Sequence, residues 1–202
     1  MEYEETFTAF IDFLGFSEAS RELDEEKRLK VLDLLRALAE LRSEFSAAAA
    51  PQEGTGGTRY FIKPAVSTFS DHIVIRYGLE TLRKTIQNQA VLAFVVLGQF
   101  EGLASVIAAQ ALRLGFLVRG AVAIGKLYHA GGVVFGEALV EATMLEARTA
   151  VYPRIVLSAA AAHLYQANRP FVKLEDDGIY CLDYMRSMLF KAAHPVTSGL
   201  RT

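Results

Sequence analysis

The chain has 202 residues, and with 52% of them hydrophobic it can build one good core. Its formal net charge of −2 excludes the basic surface that a binder of nucleic acids or anionic membranes needs. A single cysteine, Cys181, excludes an intramolecular disulfide and a thiolate zinc cluster, which is typical of a reducing compartment. The acidic N-terminus differs from a secretory signal, and the longest apolar run, AVLAFVVLG, is shorter than the roughly 18 residues typical of a membrane span. We therefore expect one cytoplasmic domain spanning residues 1–202, with neither nucleic acid nor membrane as a partner.

The first half of the chain predicts a strand, a long helix and a hairpin. The apolar run at residues 7–14 predicts a buried strand that ends at Gly15. A helical period follows over residues 17–48, with an apolar stripe of Leu29, Leu32, Leu35, Leu38 and Leu41. The Pro- and Gly-rich residues 47–58 predict a flexible loop, and two β-rich runs about a polar break predict a hairpin at residues 60–77.

In the second half, strands and helices alternate. The predicted elements are a helix at 101–115, a strand at 116–125, a turn-rich loop at 126–132, a helix at 136–148, a strand at 153–158, a short helix at 163–168, and strands at 170–175 and 178–184. This alternation indicates an α/β or α+β fold with a partly covered sheet.

Two aspartates interrupt apolar strands at positions where burial of an unpaired carboxylate is costly. Asp12 lies inside the first strand, and Asp71 lies at the break of the predicted hairpin. If that strand and the hairpin are neighbours in one sheet, the two carboxylates lie side by side and repel unless a cation lies between them. Oxygen ligands of this kind favour Mg²⁺ or Mn²⁺ bound together with substrate phosphates. The alternative is a plain turn residue for Asp71, since Asp often accepts hydrogen bonds from its own backbone.

The turn GFSEAS adds a second feature to this end of the strand. Its backbone N–H groups, at the start of a helix, would face an anion and could hold a triphosphate. The four histidines, His72, His129, His163 and His194, are scattered, and we interpret each as a surface or packing residue.

Three segments, IDFLGFSEAS, FSDHIVI and VRGAVAIGKLYHAGGVVFGEALVEATMLEAR, together resemble the class III nucleotidyl cyclases, the adenylate and guanylate cyclase catalytic domain. The resemblance implies an α+β fold with a ferredoxin-like, palm-type sheet covered by helices. It implies that Asp12 and Asp71 bind two Mg²⁺ or Mn²⁺ ions. Replacing either by Ala is expected to abolish turnover and leave the fold intact, because the change relieves repulsion between carboxylates.

The same resemblance implies a nucleoside triphosphate substrate and a homodimer whose active sites lie at the interface. The family's later strand, Gly-rich loop and helix start match Arg119, Gly120, Gly125 and Gly136. The residues expected to contact the nucleotide are Leu14, Gly15, Phe16, Ser17, Ser67, Arg119, Lys126 and Val133.

Several positions depart from the family pattern. Purine-specific members have a Lys and a polar residue where this chain has Ser67 and Val133, and Ser70 replaces the usual Gly before the second metal aspartate. Val140 and Met144 occupy the places of the Asn and Arg that act on the transition state. Arg148, one helical turn beyond Met144, is our candidate replacement, and its rivals are Arg119 and Lys126.

These departures resemble the pyrimidine cyclases of bacterial antiphage Pycsar systems, which make cyclic UMP or cyclic CMP for a downstream effector. Two other interpretations stay open. One is a degenerate cyclase-like module that binds a nucleotide or a partner without turnover. The other is a polymerase-like or diguanylate-cyclase-like palm, which would typically show paired acids in the hairpin, where this chain has one.

Overall fold

A computed structural model of the chain describes residues 3–21, 25–47, 63–164, 170–186 and 188. The strands are β1 (Tyr3–Leu14), β2 (Ala65–Phe69), β3 (His72–Gly78), β4 (Leu117–Ala130), β5 (Val133–Gly136), β6 (Ile155–Leu157), β7 (Val172–Leu174) and β8 (Tyr180–Leu182). The helices are α1 (Phe16–Arg21), α2 (Glu25–Ala47), α3 (Leu79–Thr85), α4 (Gln89–Arg113), α5 (Glu137–Arg148) and α6 (Ala159–Leu164). This is the α+β class predicted from the sequence.

The strands form one sheet in the order β2-β3-β1-β4-β6-β8-β7, and β5 pairs with β4 as a hairpin. β1 lies near the centre and pairs antiparallel with both β3 and β4. Both faces of β1 are covered, because one face packs against α3 and α4 and the other against α5. A strand covered on both sides needs apolar side chains throughout, which explains its near-continuous hydrophobic run.

The larger core lies between the sheet and α2 to α4, and it contains Phe7, Ile11 and Phe13 from β1. The smaller core lies beneath α5 and includes Phe10 of β1 and Ala142 of α5. Because successive side chains of a strand point to opposite faces, Asp12 lies on the same face as Phe10. Asp12 is therefore on the α5 side of the sheet.

Close backbone approach brings α5 onto β4. A side-chain carbon added at Gly125 would lie 3.1 Å from the backbone nitrogen of Ala138, at the start of α5. Gly136, which precedes the helix, has φ 145°, a conformation that side chains of L-residues rarely adopt. These glycines let α5 lie close enough to the sheet for its inner side chains to reach β1.

Two predicted features differ from the structure, and a third lies almost wholly outside the described residues. The stripe on α2 is confirmed only at Leu38, which is buried; Leu29, Leu32 and Leu35 are exposed, and Leu34, outside the stripe, is buried. The side chain of Leu41 is outside the described residues. The predicted loop at 126–132 is largely strand, since β4 continues to Ala130 and turns at two glycines into β5. The predicted loop at 47–58 lies outside the described residues apart from residue 47, which ends α2.

The central helix is longer than predicted, because α4 begins at Gln89 rather than near residue 101. Asn88 caps it, and its side chain accepts hydrogen bonds from the backbone nitrogens of Ala90 and Val91. By length and composition α4 could cross a membrane, with a mean hydropathy of 2.0 over its most apolar window, but half of that window is buried inside the domain. Core helices pass the same test, so this feature is weak evidence for a membrane span.

Candidate functional site

The register of the sheet assembles a polar cluster at the end of β1. Asp12 lies directly opposite His72 of β3 on one side and directly opposite Arg119 of β4 on the other. Residues in direct register point to the same face of a sheet. The predicted neighbourhood of the first strand and the hairpin is confirmed, and it places Asp71, in the turn before His72, beside Asp12.

The two aspartates and His72 form a compact group. Oxygen or nitrogen atoms from Asp12, Asp71 and His72 all lie within 4.8 Å of one another. The imidazole lies between the carboxylates, with Nε2 3.5 Å from Oδ1 of Asp12 and Nδ1 3.1 Å from Oδ1 of Asp71. The Asp12 and Asp71 side chains are only 10% and 13% exposed. The interpretation of His72 as a surface or packing residue did not predict its place between the two carboxylates.

A second layer of charge lies behind Asp12. Arg119 Nε donates a hydrogen bond of 2.9 Å to Oδ2 of Asp12. The same Nε lies 2.6 Å from Oε1 of Glu146, without the alignment of a hydrogen bond. Burial raises the pKa of Glu146 above its ordinary value; the charge of Arg119 opposes the rise and the Asp12 carboxylate adds to it. Glu146 was not among the site residues predicted from the sequence.

The donor set fits a divalent cation. Two nearly buried carboxylates repel each other, and a cation between them removes the repulsion. Carboxylate oxygens are the ligands that Mg²⁺ and Mn²⁺ prefer, and Mn²⁺ also accepts an imidazole nitrogen. Asp12 and Asp71 would hold the ion, with His72 within reach as a third ligand. The geometry brings the two expected metal ligands together, and metal binding by them stays a prediction.

The turn after β1 begins α1 next to this cluster. Gly15 has φ 93°, a left-handed conformation suited to glycine, and its carbonyl accepts a hydrogen bond from the Ala19 nitrogen. Phe16 is buried and stacks at an angle against Phe116, while Ser17 is exposed. Leu14 is partly buried at the strand end. Gly15 and Ser17 are thus the exposed positions of this turn close to Asp12, and phosphate binding there stays a prediction.

Ser67 and Val133, at the expected base-contacting positions, lie on different strands. Ser67 is buried on β2, and its hydroxyl lies 2.7 Å from Nε2 of His129 on β4. Val133 is 53% exposed at the start of β5. The β4–β5 hairpin thus folds across the α5 side of the sheet towards β2, which the sequence-based prediction of a loop at 126–132 could not reveal.

The remaining predicted residues lie away from Asp12. Arg148 is exposed and lines a groove on α5 together with Val140 and Met144, as their four-residue spacing predicts. Lys126 is exposed on β4, opposite Glu5 of β1. Of the predicted cationic residues in the described part of the chain, only Arg119 is in contact with a predicted metal ligand.

The described structure resembles solved nucleotide cyclase domains. One is the monomeric guanylyl cyclase domain of the RhoGC fusion protein from the aquatic fungus Blastocladiella emersonii, with 18% identity, 90% of this chain and 96% of that chain covered, and a TM-score of 0.53. This chain has the cyclase-domain fold. Another is the catalytic core of a rhodopsin-guanylyl cyclase with converted specificity in complex with ATPαS, with 14% identity, coverage of 90% and 97%, and a TM-score of 0.53. No protein-family model and no curated protein matches the sequence.

Proposed function

We propose that this chain is a nucleotidyl cyclase, which converts a ribonucleoside triphosphate to a 3′,5′-cyclic nucleotide and pyrophosphate. The observation that carries the proposal is the convergence of Asp12 and Asp71 from separate elements beside the turn at residues 14–17, where Gly15 and Ser17 are exposed. A carboxylate pair of this kind, on a cyclase-domain fold, has the donor chemistry for divalent cations bound together with substrate phosphates. We propose that the whole chain, residues 1–202, acts as one such domain.

The chemistry requires few protein groups. Two Mg²⁺ or Mn²⁺ ions, when bound, lower the pKa of the ribose 3′-hydroxyl and neutralise charge on the α-phosphate and the leaving pyrophosphate. Asp12 and Asp71 hold these ions in place, and the backbone of residues 14–17 binds the phosphates. Because Asp12 projects from a strand and Asp71 from the two-residue turn between β2 and β3 rather than from a long loop, little reorganisation is required when substrate binds.

A homodimer would supply the groups that one copy lacks near Asp12. Large apolar side chains are exposed along one face formed by β1, β5 and α5, and an interface between two copies of the chain would cover them. The exposed members of this apolar face are Tyr3, Val133, Phe135, Val140 and Met144. Arg148 lies on the rim of the same groove, where it could reach a triphosphate held by the partner's aspartates.

The finer proposal is a pyrimidine nucleotide, with UTP or CTP as substrate. Ser67 offers a small neutral hydroxyl, already bonded to His129, at a position where purine-specific relatives of the fold have a lysine. Val133 offers no hydrogen bond at the second base position. A cyclic UMP or cyclic CMP signal would act on a downstream effector in the cytoplasm, as in the antiviral Pycsar systems that the sequence resembles.

The direct test is incubation of the purified chain with each of the four ribonucleoside triphosphates and Mn²⁺, followed by mass analysis of the products. We expect a cyclic pyrimidine nucleotide and pyrophosphate, and no product after addition of EDTA. Exclusive synthesis of cyclic AMP or cyclic GMP would contradict the pyrimidine assignment but would support the proposed cyclase activity. Absence of every cyclic product would contradict the cyclase itself.

A second candidate is a module that binds nucleotide or a partner without turnover. It is favoured by the exposed apolar pair Val140 and Met144, which stand where active members of the resembled family have an Asn and an Arg. Titration calorimetry separates the two functions. Triphosphate binding that requires Mn²⁺ and yields no cyclic product would support the module.

A further inference from the structure

Asp12 uses its two carboxylate oxygens for different purposes. Oδ2 accepts the hydrogen bond from Arg119, at 2.9 Å, whereas Oδ1 faces His72 and Asp71. The side chain of Asp12 is 10% exposed and lies between two neighbouring strands, so the bond to Arg119 fixes its orientation. Oδ1 is therefore the oxygen that is presented to a cation.

Arg119 alone would weaken such a site. Only the Asp12 carboxylate separates the positive charge of Arg119 from the expected cation position. The Arg119 side chain is 26% exposed, so solvent screens its charge incompletely. Glu146 also contacts Arg119, with its oxygen 2.6 Å from Nε and its side chain 8% exposed. A buried glutamate is costly unless it is paired, and Arg119 is its partner in the described structure. Glu146 therefore offsets the charge of Arg119.

We propose that Arg119 and Glu146 are a positioning pair that orients Asp12 and sets the affinity of the Asp12–Asp71 site for divalent cations. This inference rests on the metal site of the proposed function and not on turnover. Arg119 holds one oxygen of Asp12, and Glu146 balances the charge of Arg119. This role is additional to the contact with the nucleotide that the sequence predicts for Arg119.

The pair predicts an order of metal affinities among charge variants. Glu146→Gln keeps the size of the side chain and leaves Arg119 uncompensated, so Mn²⁺ should bind about tenfold more weakly. The double variant Arg119→Met/Glu146→Leu removes both charges, and its affinity should lie within about threefold of wild type. The two substitutions are thus coupled, as expected for side chains in direct contact. Glu80→Gln, at an exposed site on α3, is the matched control and should change the affinity less than twofold.

The experiment is a titration of metal-free protein with Mn²⁺, without nucleotide, in which free Mn²⁺ is measured by electron paramagnetic resonance. Circular dichroism and thermal unfolding establish that each variant is folded, and the double variant gives the test should Glu146→Gln fail to fold. Weaker binding in the double variant than in Glu146→Gln would overturn the pair. So would equal binding in Glu146→Gln and wild type, or no Mn²⁺ binding by wild type.

Failure of the proposed function and failure of this inference give different experimental results. If the wild type binds Mn²⁺ and the variants follow the expected order of affinities, the positioning role of Arg119 and Glu146 is supported. If no triphosphate is cyclised in the same preparation, the proposed cyclase activity is contradicted. Should turnover occur, Glu146→Gln is expected to raise the KM for Mn²⁺ about tenfold and to keep kcat at saturating Mn²⁺ within about threefold. A fall in kcat with an unchanged KM for Mn²⁺ would overturn the positioning role.

Discussion

Replacement of the two aspartates by asparagine should separate their contributions to folding from their contributions to metal binding. Asp12→Asn weakens the charge-assisted bond to Arg119, worth about 1.5–3 kcal/mol, while relief of repulsion from Asp71 and Glu146 offsets part of the loss. We expect metal-free Asp12→Asn to lose about 1–2 kcal/mol, or about 3–6 °C in Tm for a chain of this size. Asp71→Asn should lose less than about 1 kcal/mol, since its contact in the described structure is with His72.

Addition of Mn²⁺ then tests the ligands. At a hundred times the dissociation constant, a bound ion stabilises the wild type by about 2.7 kcal/mol, which raises Tm by about 5–10 °C. Neither aspartate variant should show this rise, whereas the control Asp33→Asn, at an exposed site on α2, should keep it. Scanning calorimetry with Mn²⁺ and with EDTA measures both effects. A rise as large in Asp12→Asn or Asp71→Asn as in wild type would refute the assignment of these carboxylates as ligands.

Three further predictions follow from the same structure. If Arg148 acts on the phosphates of a partner copy, Arg148→Ala should lower kcat about 100-fold or more and keep metal-dependent nucleotide binding. Arg113→Ala, at an exposed site, is the control. A change in kcat under about threefold in steady-state kinetics would exclude this role of Arg148. Ser70→Gly should stabilise the fold by about 0.5–1 kcal/mol in urea unfolding, because Ser70 has φ 54°, and a loss of stability would contradict this. Phe135→Asp, compared with Leu112→Asp on α4, should convert a dimer to a monomer in analytical ultracentrifugation, and an unchanged dimer would show that another surface forms the interface.

The strands that carry the site were predictable because their sequence patterns are local. A carboxylate inside an apolar run, as at Asp12, is rare enough to attract attention, and the polar break at Ser70 and Asp71 predicts the hairpin turn. The pairing of that hairpin with β1 is confirmed. Ser70 stands where the resembled family usually has a glycine, and its backbone has the positive φ that a glycine adopts at no cost.

What could not be predicted depends on contacts between distant segments. His72 and Glu146 join Asp12 only through strand register and the docking of α5, and neither follows from the spacing of residues along the chain. The leucine stripe on α2 was largely wrong for the same reason. Leucines lie on several faces of that helix, so periodicity selected Leu38 but missed Leu34, which is also buried.

The direct register of Asp12 with His72 and Arg119 has a consequence for how the site responds to motion. Strands paired on both sides open to solvent only in large, rare fluctuations, whereas helix ends and chain termini fray often. Backbone amides of β1 should accordingly exchange with deuterium far more slowly than those of α1. Fraying of α1 could therefore admit and release a nucleotide many times while the carboxylates stay in place.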